Sequence, residues 1–287
     1  MGRIKQGWQL TKKAWGVVRE NPTLMKLPVF GAILGAIAFL VFAIPGALVI
    51  DGSDTNAAYV TGGVLIAIGT YLASFAVIYY NVALAAAADL CFRGQPADTK
   101  AGLAVARSRR GVIAQWAAVS LIVSMVFNLI RDRGGLFGEI AAGLGAAIWA
   151  LITFLIAPVL AFEGLGPLDA IKRSSSMFKQ KWGQQITGNL AIGMVTGIAM
   201  FLSVLVAVGG VFVLASGNSA AVAAGGGLLV LGVVGFVAAA VVSGAVRGVF
   251  GVALYRYVAD GTPVGPFTVA ELEGSVKQRK GARGAGI

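Results

Sequence analysis

Six long apolar runs restrict what this chain can become. They extend approximately from Leu27 to Ile50, Tyr59 to Ala88, Gly111 to Ile130, Leu136 to Phe162, Ile186 to Ala215 and Ala220 to Val246. Each reaches the roughly 20 residues of helix that cross a hydrocarbon core. A backbone facing lipid must satisfy its N–H and C=O groups within its own helix or in a closed barrel, and these runs lack the alternation of barrel strands. The expectation is an all-α membrane protein with six transmembrane helices arranged as three hairpins, each preceded by an amphipathic helix on the cytoplasmic surface. Residues 1–26 would form the first surface helix, 27–258 the bundle and 259–287 a cytoplasmic tail. Because an amphipathic segment precedes it, the first run is read as a span; a cleavable signal has an apolar region of only about 7–15 residues. Composition agrees: 57% of residues are hydrophobic and 12% charged, against about 25% charged in soluble domains.

Charge gives the expected orientation. The chain has 23 Lys and Arg against 12 Asp and Glu. The N-terminal segment holds Arg3, Lys5, Lys12, Lys13, Arg19 and Lys26. Arg93, Lys100, Arg107, Arg109 and Arg110 follow the second run, and Lys172, Arg173, Lys179 and Lys181 follow the fourth. Further cations run from Arg247 to the end, whereas the third loop holds Arg131 and Arg133 and the first and fifth hold none. By the positive-inside rule both termini and the second and fourth loops face the cytoplasm, which makes the expected location the cytoplasmic (inner) membrane. The same basic excess in a soluble domain would suggest nucleic acid. Here no basic stretch carries interleaved aromatics or a binding-fold signature, so no nucleic-acid partner is expected.

Histidine is absent and Cys91 is the single cysteine. That removes intrachain disulfides, His/Cys metal sites, haem ligation by His, and Ser-His-Asp or Cys-His catalysis. No catalytic residue, metal ligand or cofactor is expected. Cys91 could carry a palmitoyl group or a redox role, but a small apolar filler is the plainer reading. None of the six runs has an ionisable residue near its centre, which argues against proton-coupled transport. Asp89, Glu163 and Arg247 are expected at cytoplasmic ends of spans, with an Asp89–Arg247 pair left open. Asn81, Asn128, Asn189, Thr153 and Ser124 are expected to hydrogen-bond between helices, and the pairs Gly31/Gly35, Gly193/Gly197 and Gly244/Gly248 to allow close contact. Pro45 and Pro158 should kink their helices.

A repeat emerges from the basic segments. "RSRRGVIAQW", Arg107 to Trp116, and "RSSSMFKQKW", Arg173 to Trp182, share an Arg-Ser start and a Trp end, and "KAWGVVRENP" from Lys13 fits the same frame, pairing Lys12-Lys13 with Lys172-Arg173. In the first copy Ile4, Trp8, Trp15 and Val18 fall at helical spacing on one face; in the third, Leu168, Ile171, Phe178 and Trp182 do. Cations flank both stripes. Such helices lie in the membrane interface, with aromatic residues at the headgroup boundary and cations on anionic lipid. The expected lipid-contact residues are Trp8, Lys12, Lys13 and Trp15 in the first copy. In the second they are Arg107, Arg109, Arg110 and Trp116, where Arg110 interrupts the stripe and packing on the bundle is an equal reading. In the third they are Lys172, Arg173, Phe178, Lys179 and Trp182. The serines of "KRSSS" are read as the polar side of such a helix, bonded to backbone or water.

"GWQLTKKAWGVVRENPTLMKLPV", "AAAADLCFRGQPADTKAGLAVARSR" and "ALYRYVADGTPVGPFTVAEL" together give the chain a resemblance, nearly along its full length, to an uncharacterised family of prokaryotic six-helix membrane proteins. Its layout also resembles the membrane domain of some glycerophosphodiester phosphodiesterases. That likeness implies architecture and an inner-membrane location, and no activity.

The functional expectation is a non-catalytic polytopic protein that organises lipids, anionic headgroups first, or a partner membrane protein at the cytoplasmic leaflet. The alternative is a small-molecule or lipid transporter or channel without proton coupling, which the kinked spans and intramembrane Asn residues suggest. A lipid-active enzyme using Asp89 and Glu163 is the remaining reading.

Overall fold

The computed structural model describes residues 3–182, 188–215, 219–269 and 272, and their side chains except at 3–7, 178–182, 188–196, 198 and 219–221. Among the described residues there is no strand. The helices follow in the order α1 (Arg3–Glu20), α2 (Thr23–Asp51), α3 (Asn56–Phe92), α4 (Thr99–Ser108), α5 (Arg110–Arg133), α6 (Gly135–Ile152), α7 (Ile156–Phe162), α8 (Pro167–Trp182), α9 (Gly188–Leu214) and α10 (Ser219–Asp260). Five segments are long and apolar enough to cross a membrane: α2, α3, α5, the stretch Gly135–Phe162 that contains α6 and α7, and Val222–Asp260 of α10; Ala199–Leu214 is a shorter apolar helix.

Helices α2 and α3 pack along their lengths, as do α9 and α10, and α5 pairs with α6. The α2–α3 contact is close because glycines face each other: a Cβ on Gly46 would come within 2.7 Å of the Gly62 carbonyl, and one on Gly62 would meet the Gly46 carbonyl in turn. Gly31 and Gly35 also sit tight, against Tyr80 and Ala73, whereas a Cβ at Gly197 would meet nothing. Pro45 lies inside a continuous α2. Pro158 instead follows a true break, in which residues 153–155 leave the helix and separate α6 from α7.

Burial is concentrated at one end. Residues 82–89 of α3 are buried without interruption, and they meet the Ala245–Tyr257 part of α10, all of α7 and the starts of α2 and α5. The three short helices α1, α4 and α8 close this same end. Toward the other end, large apolar side chains lie exposed on each of these five segments and on the shorter apolar helix, among them Ile37, Val60, Ile122, Leu144, Phe212 and Leu231. That is the surface a lipid solvent requires, since lipid tails are as apolar as leucine and exert no hydrophobic drive between helices.

The C-terminal span is longer than its apolar pattern suggested, continuing to Asp260. Its last turns carry Tyr255, Arg256 and Tyr257 into the buried end. Beyond it Phe267 and Leu272 are buried and Lys13 Nζ donates to the Pro266 carbonyl at 2.8 Å, so the first part of the tail is docked on the bundle.

Candidate functional site

Two features of this end bear on function: the faces of the short helices, and a cavity beside the break in the fourth apolar run. On α1, Leu10, Ala14, Val17 and Val18 are buried against α9 and α10. On α8, Ala170, Ser174 and Met177 are buried, and Ser174 donates to the Ile152 carbonyl at the end of α6. These positions share one register: Leu10, Ala14 and Val17 correspond to Ala170, Ser174 and Met177. In both helices the apolar stripe lies about a third of the way round from the buried face. Trp8 is 42% and Leu168 72% exposed, with Trp15 exposed as well. Lys12 lies 5.3 Å from the centre of the Trp8 ring, so cation and aromatic share the uncovered side. The bundle therefore leaves Trp8, Trp15 and Leu168 uncovered, while Val18 of the same stripe is buried and Ile171 packs partly against the core. Lys172 is exposed and pairs with Asp169 at 3.4 Å, while Arg173 turns inward to Glu163. The side chains of Phe178, Lys179 and Trp182 lie outside the described residues.

The middle copy is corrected. "RSRRGVIAQW" straddles a junction: α4 ends at Ser108, the chain turns at Arg109 and α5 starts at Arg110. The surface helix of this unit lies upstream, where Asp98 caps α4 by accepting from the Lys100 N–H at 2.8 Å, and Gly102 and Ala106 form its buried face. Trp116 is two turns inside α5, 5% exposed, and stacks on Trp149 of α6 at 5.8 Å and 5°. It is an internal aromatic and not a surface contact. Arg109 packs against the αL turn at Gly164 with its Nε buried, and Arg107 and Arg110 are exposed.

Ion pairs stitch the buried end. Asp89, 5% exposed, accepts from Arg256 Nε at 2.6 Å and Arg256 Nη2 at 2.8 Å, and pairs with Arg93 at 2.7 Å. The sequence had left Arg247 open as its partner; Arg256, two turns further along α10, takes that role. Glu163 accepts from Arg173 Nε at 2.8 Å and from the Tyr255 hydroxyl at 2.8 Å. The Glu163 hydrogen bond holds the Arg173 guanidinium above the ordinary arginine range. Adjacent residues of α10 thus anchor α3 and α7, and the Arg256 guanidinium also lies 4.7 Å over the Phe162 ring.

Inside this belt is a cavity of about 370 Å³, bounded by α3, α5, α6, α7 and α10. The break makes it. Pro158 has no N–H to return to the Phe154 carbonyl, and the chain leaves the helix at residues 153–155, one turn before it. That carbonyl oxygen is 4.0 Å from where a Cβ on Gly251 would stand. Thr153 donates to the Trp149 carbonyl at 2.7 Å. Asn81, Ser120, Thr153 and Arg247 bring polar groups to the lining, which also includes Gly244, Gly248 and Gly251 of α10. Sequence reasoning singled out Asn81, Thr153 and Pro158 separately; Arg247 and Ser120 were not placed with them.

These features define a multi-pass helical membrane protein with a charged, capped end and a cavity in the bundle. The chain belongs to DUF6159, a family of unknown function, whose model matches residues 60–265. Neither the curated proteins nor the solved structures give a match to it.

Proposed function

We propose that this is a non-catalytic protein of the cytoplasmic membrane that engages anionic lipid of the inner leaflet through its surface helices, with both termini cytoplasmic. The carrying observation is the shared register of α1 and α8, in which Leu10, Ala14 and Val17, like Ala170, Ser174 and Met177, are buried while Trp8 and Trp15, like Leu168, are left exposed beside lysine. A helix evolved only to pack would bury its tryptophans, because they offer the most apolar area. Exposed Trp flanked by Lys is the pattern of an interfacial helix. Six spans in three hairpins, with α9 as the fifth and α1, α4 and α8 each preceding a pair, are part of this reading, and the element order supports it. The architectural likeness to the membrane domain of some glycerophosphodiester phosphodiesterases, without their chemistry, belongs to the same reading. The test is photocrosslinking from positions 8 and 15 of the full-length protein in native membranes. Lipid adducts are expected at both; adducts to one protein at both would replace lipid with a protein partner.

A second reading, a transporter or channel for a small molecule or lipid without proton coupling, is favoured by the cavity at a broken helix, the arrangement in which many transporters hold substrate. Movement of a labelled lipid or solute across proteoliposomes, lost when Ser120→Phe fills the cavity, would establish it; retention of activity in that variant would refute it.

A further inference from the structure

We infer that the cavity between α10 and the α5–α6 hairpin binds the uncharged hydroxyl-and-ester head of a phosphate-free glycerolipid, diacylglycerol being the simplest. The inference rests on the second reading and deepens it by naming the ligand; it does not depend on what α1 touches.

Open hydrogen-bonding groups are the first argument. Asn81 and Ser120 line the cavity, and among the described residues neither the amide nor the hydroxyl has a hydrogen-bond partner. Asn81 precedes Asp89 on a continuous helix by eight residues, which sets it about 12 Å deeper in the bundle. Polar groups left unpaired at such depth are costly, because lipid offers them nothing in place of water. The break adds a third open group. Among the described residues no backbone N–H reaches the Phe154 carbonyl, which stands toward Gly251 of α10.

Their chemistry selects the ligand. The Asn81 amide and the Ser120 hydroxyl donate, while Asn81 Oδ1, the Thr153 hydroxyl and the Phe154 carbonyl accept. Arg247 also reaches the wall, but it is engaged in an interaction of its own, so the open groups are all neutral. They call for a head that both accepts and donates without carrying charge. The ester carbonyls and free hydroxyl of a diacylglycerol meet that description; a quinone has no donor, and a phosphate brings a charge that the open groups do not balance. A volume of about 370 Å³ lies at the small end of ligand pockets. It holds a glycerol head and leaves the chains outside.

Access is the third argument. Helix α8 touches α5, α6, α7 and α10, and its Ser174 donates to the Ile152 carbonyl just before the break. The cavity is thus covered on the charged side. Helix α10 packs on α2, α3, α7 and α9, whereas α5 and α6 pack on each other and on α3 and α8. The way in therefore lies where α10 and the α5–α6 hairpin are apart, which in a bilayer faces lipid. The parallel Trp116–Trp149 pair stands beside it.

The chain has five tryptophans; with Trp8, Trp15 and Trp182 changed to Phe, Trp116 and Trp149 report on the cavity. This full-length reporter is placed in phosphatidylcholine nanodiscs containing a minor fraction of brominated-chain diacylglycerol or, at the same fraction, brominated-chain phosphatidylcholine. A few neutral hydrogen bonds predict about a tenfold preference for quenching by the diacylglycerol. Asn81→Leu, which keeps the side-chain volume, should abolish the preference, and Ser124→Ala, one turn along α5 and outside the lining, should leave it intact. If Asn81→Leu fails to accumulate, Ser120→Ala must lower the preference by about threefold or more. Brominated-chain phosphatidylglycerol and a brominated fatty acid methyl ester are the other arms. The first adds charge and the second lacks a hydroxyl, so each should quench no better than phosphatidylcholine. Equal quenching by all four lipids, the result for a cavity that holds only water, overturns the inference, as does a preference for either of the last two that matches the diacylglycerol. A clear preference for diacylglycerol in a protein that moves no lipid would refute transport alone.

Discussion

Asp89 and Arg256 meet across 167 residues of chain through two charge-assisted hydrogen bonds of 2.6 and 2.8 Å. The pair ties the end of α3 to the last turns of α10, and the Asp89 side chain is 8% exposed against 20% for the arginine. Removing one member of a buried pair costs about 3–5 kcal/mol, since the other is left uncompensated. Asp89→Asn should lower stability by roughly 3 kcal/mol, read as a fall in the thermal midpoint of the purified protein. The double change Asp89→Leu with Arg256→Met should recover much of the loss; if it is no better than the single one, the pair is not the source.

Glycine contact between α2 and α3 predicts a contrast between neighbours. Gly62→Ala puts a methyl into the Gly46 carbonyl, and overpacking of this kind costs about 1–3 kcal/mol. Gly63→Ala meets nothing within 4 Å. It should be neutral or stabilising by up to about 1 kcal/mol, the helix-propensity gain. Unfolding midpoints of the two variants side by side decide it.

On α1 the docking face and the tryptophan stripe should separate in the same way. Leu10→Ala removes a side chain that is 1% exposed and should cost about 2–5 kcal/mol. Trp15→Ala should stay within about 0.5 kcal/mol, the range of exposed substitutions. A large loss at Trp15 in detergent would show that the tryptophan packs on protein.

The proposed orientation is checked by cysteine labelling in a Cys91→Ala background. Ser53→Cys, between α2 and α3, should react with a membrane-impermeant maleimide in intact cells, and Gln95→Cys, between α3 and α4, should react only after lysis. The reverse pattern would invert the protein in its membrane.

The apolar runs were legible because a membrane span is a local property: length and hydropathy suffice. Each helix found lies within a few residues of its run except where tertiary contact intervenes, as at α10, whose polar last turns are buried by Asp89, Glu163 and Phe162 rather than ended at the interface. The register of α1 and α8 was half legible. Periodicity picked out the Trp stripe, but it set Lys12 off a face on which the lysine lies over the Trp8 ring, and nothing in it told that Trp8, Trp15 and Leu168 would be left open while Leu10, Ala14, Ala170 and Met177 took the bundle. The middle unit misled because Arg-Ser and Trp recur at matching spacing, although the Asp98 cap and the turn at Arg109 divide that stretch between two helices. The cavity could not be read at all, since Asn81, Ser120, Thr153 and Arg247 come from four segments and are assembled by the break at Pro158.

Helix α10 has 42 residues, about 63 Å at 1.5 Å per residue, against a hydrocarbon core of about 30 Å. Much of the buried end built around Tyr255, Arg256 and Tyr257 must therefore stand in the headgroup region and in water. There, unlike among the lipid-facing spans, hiding apolar surface is itself a driving force. The protein carries, in effect, a small water-soluble domain knit from the tips of its own spans, and agents that act on water-soluble cores, urea among them, should loosen this membrane protein from that end first.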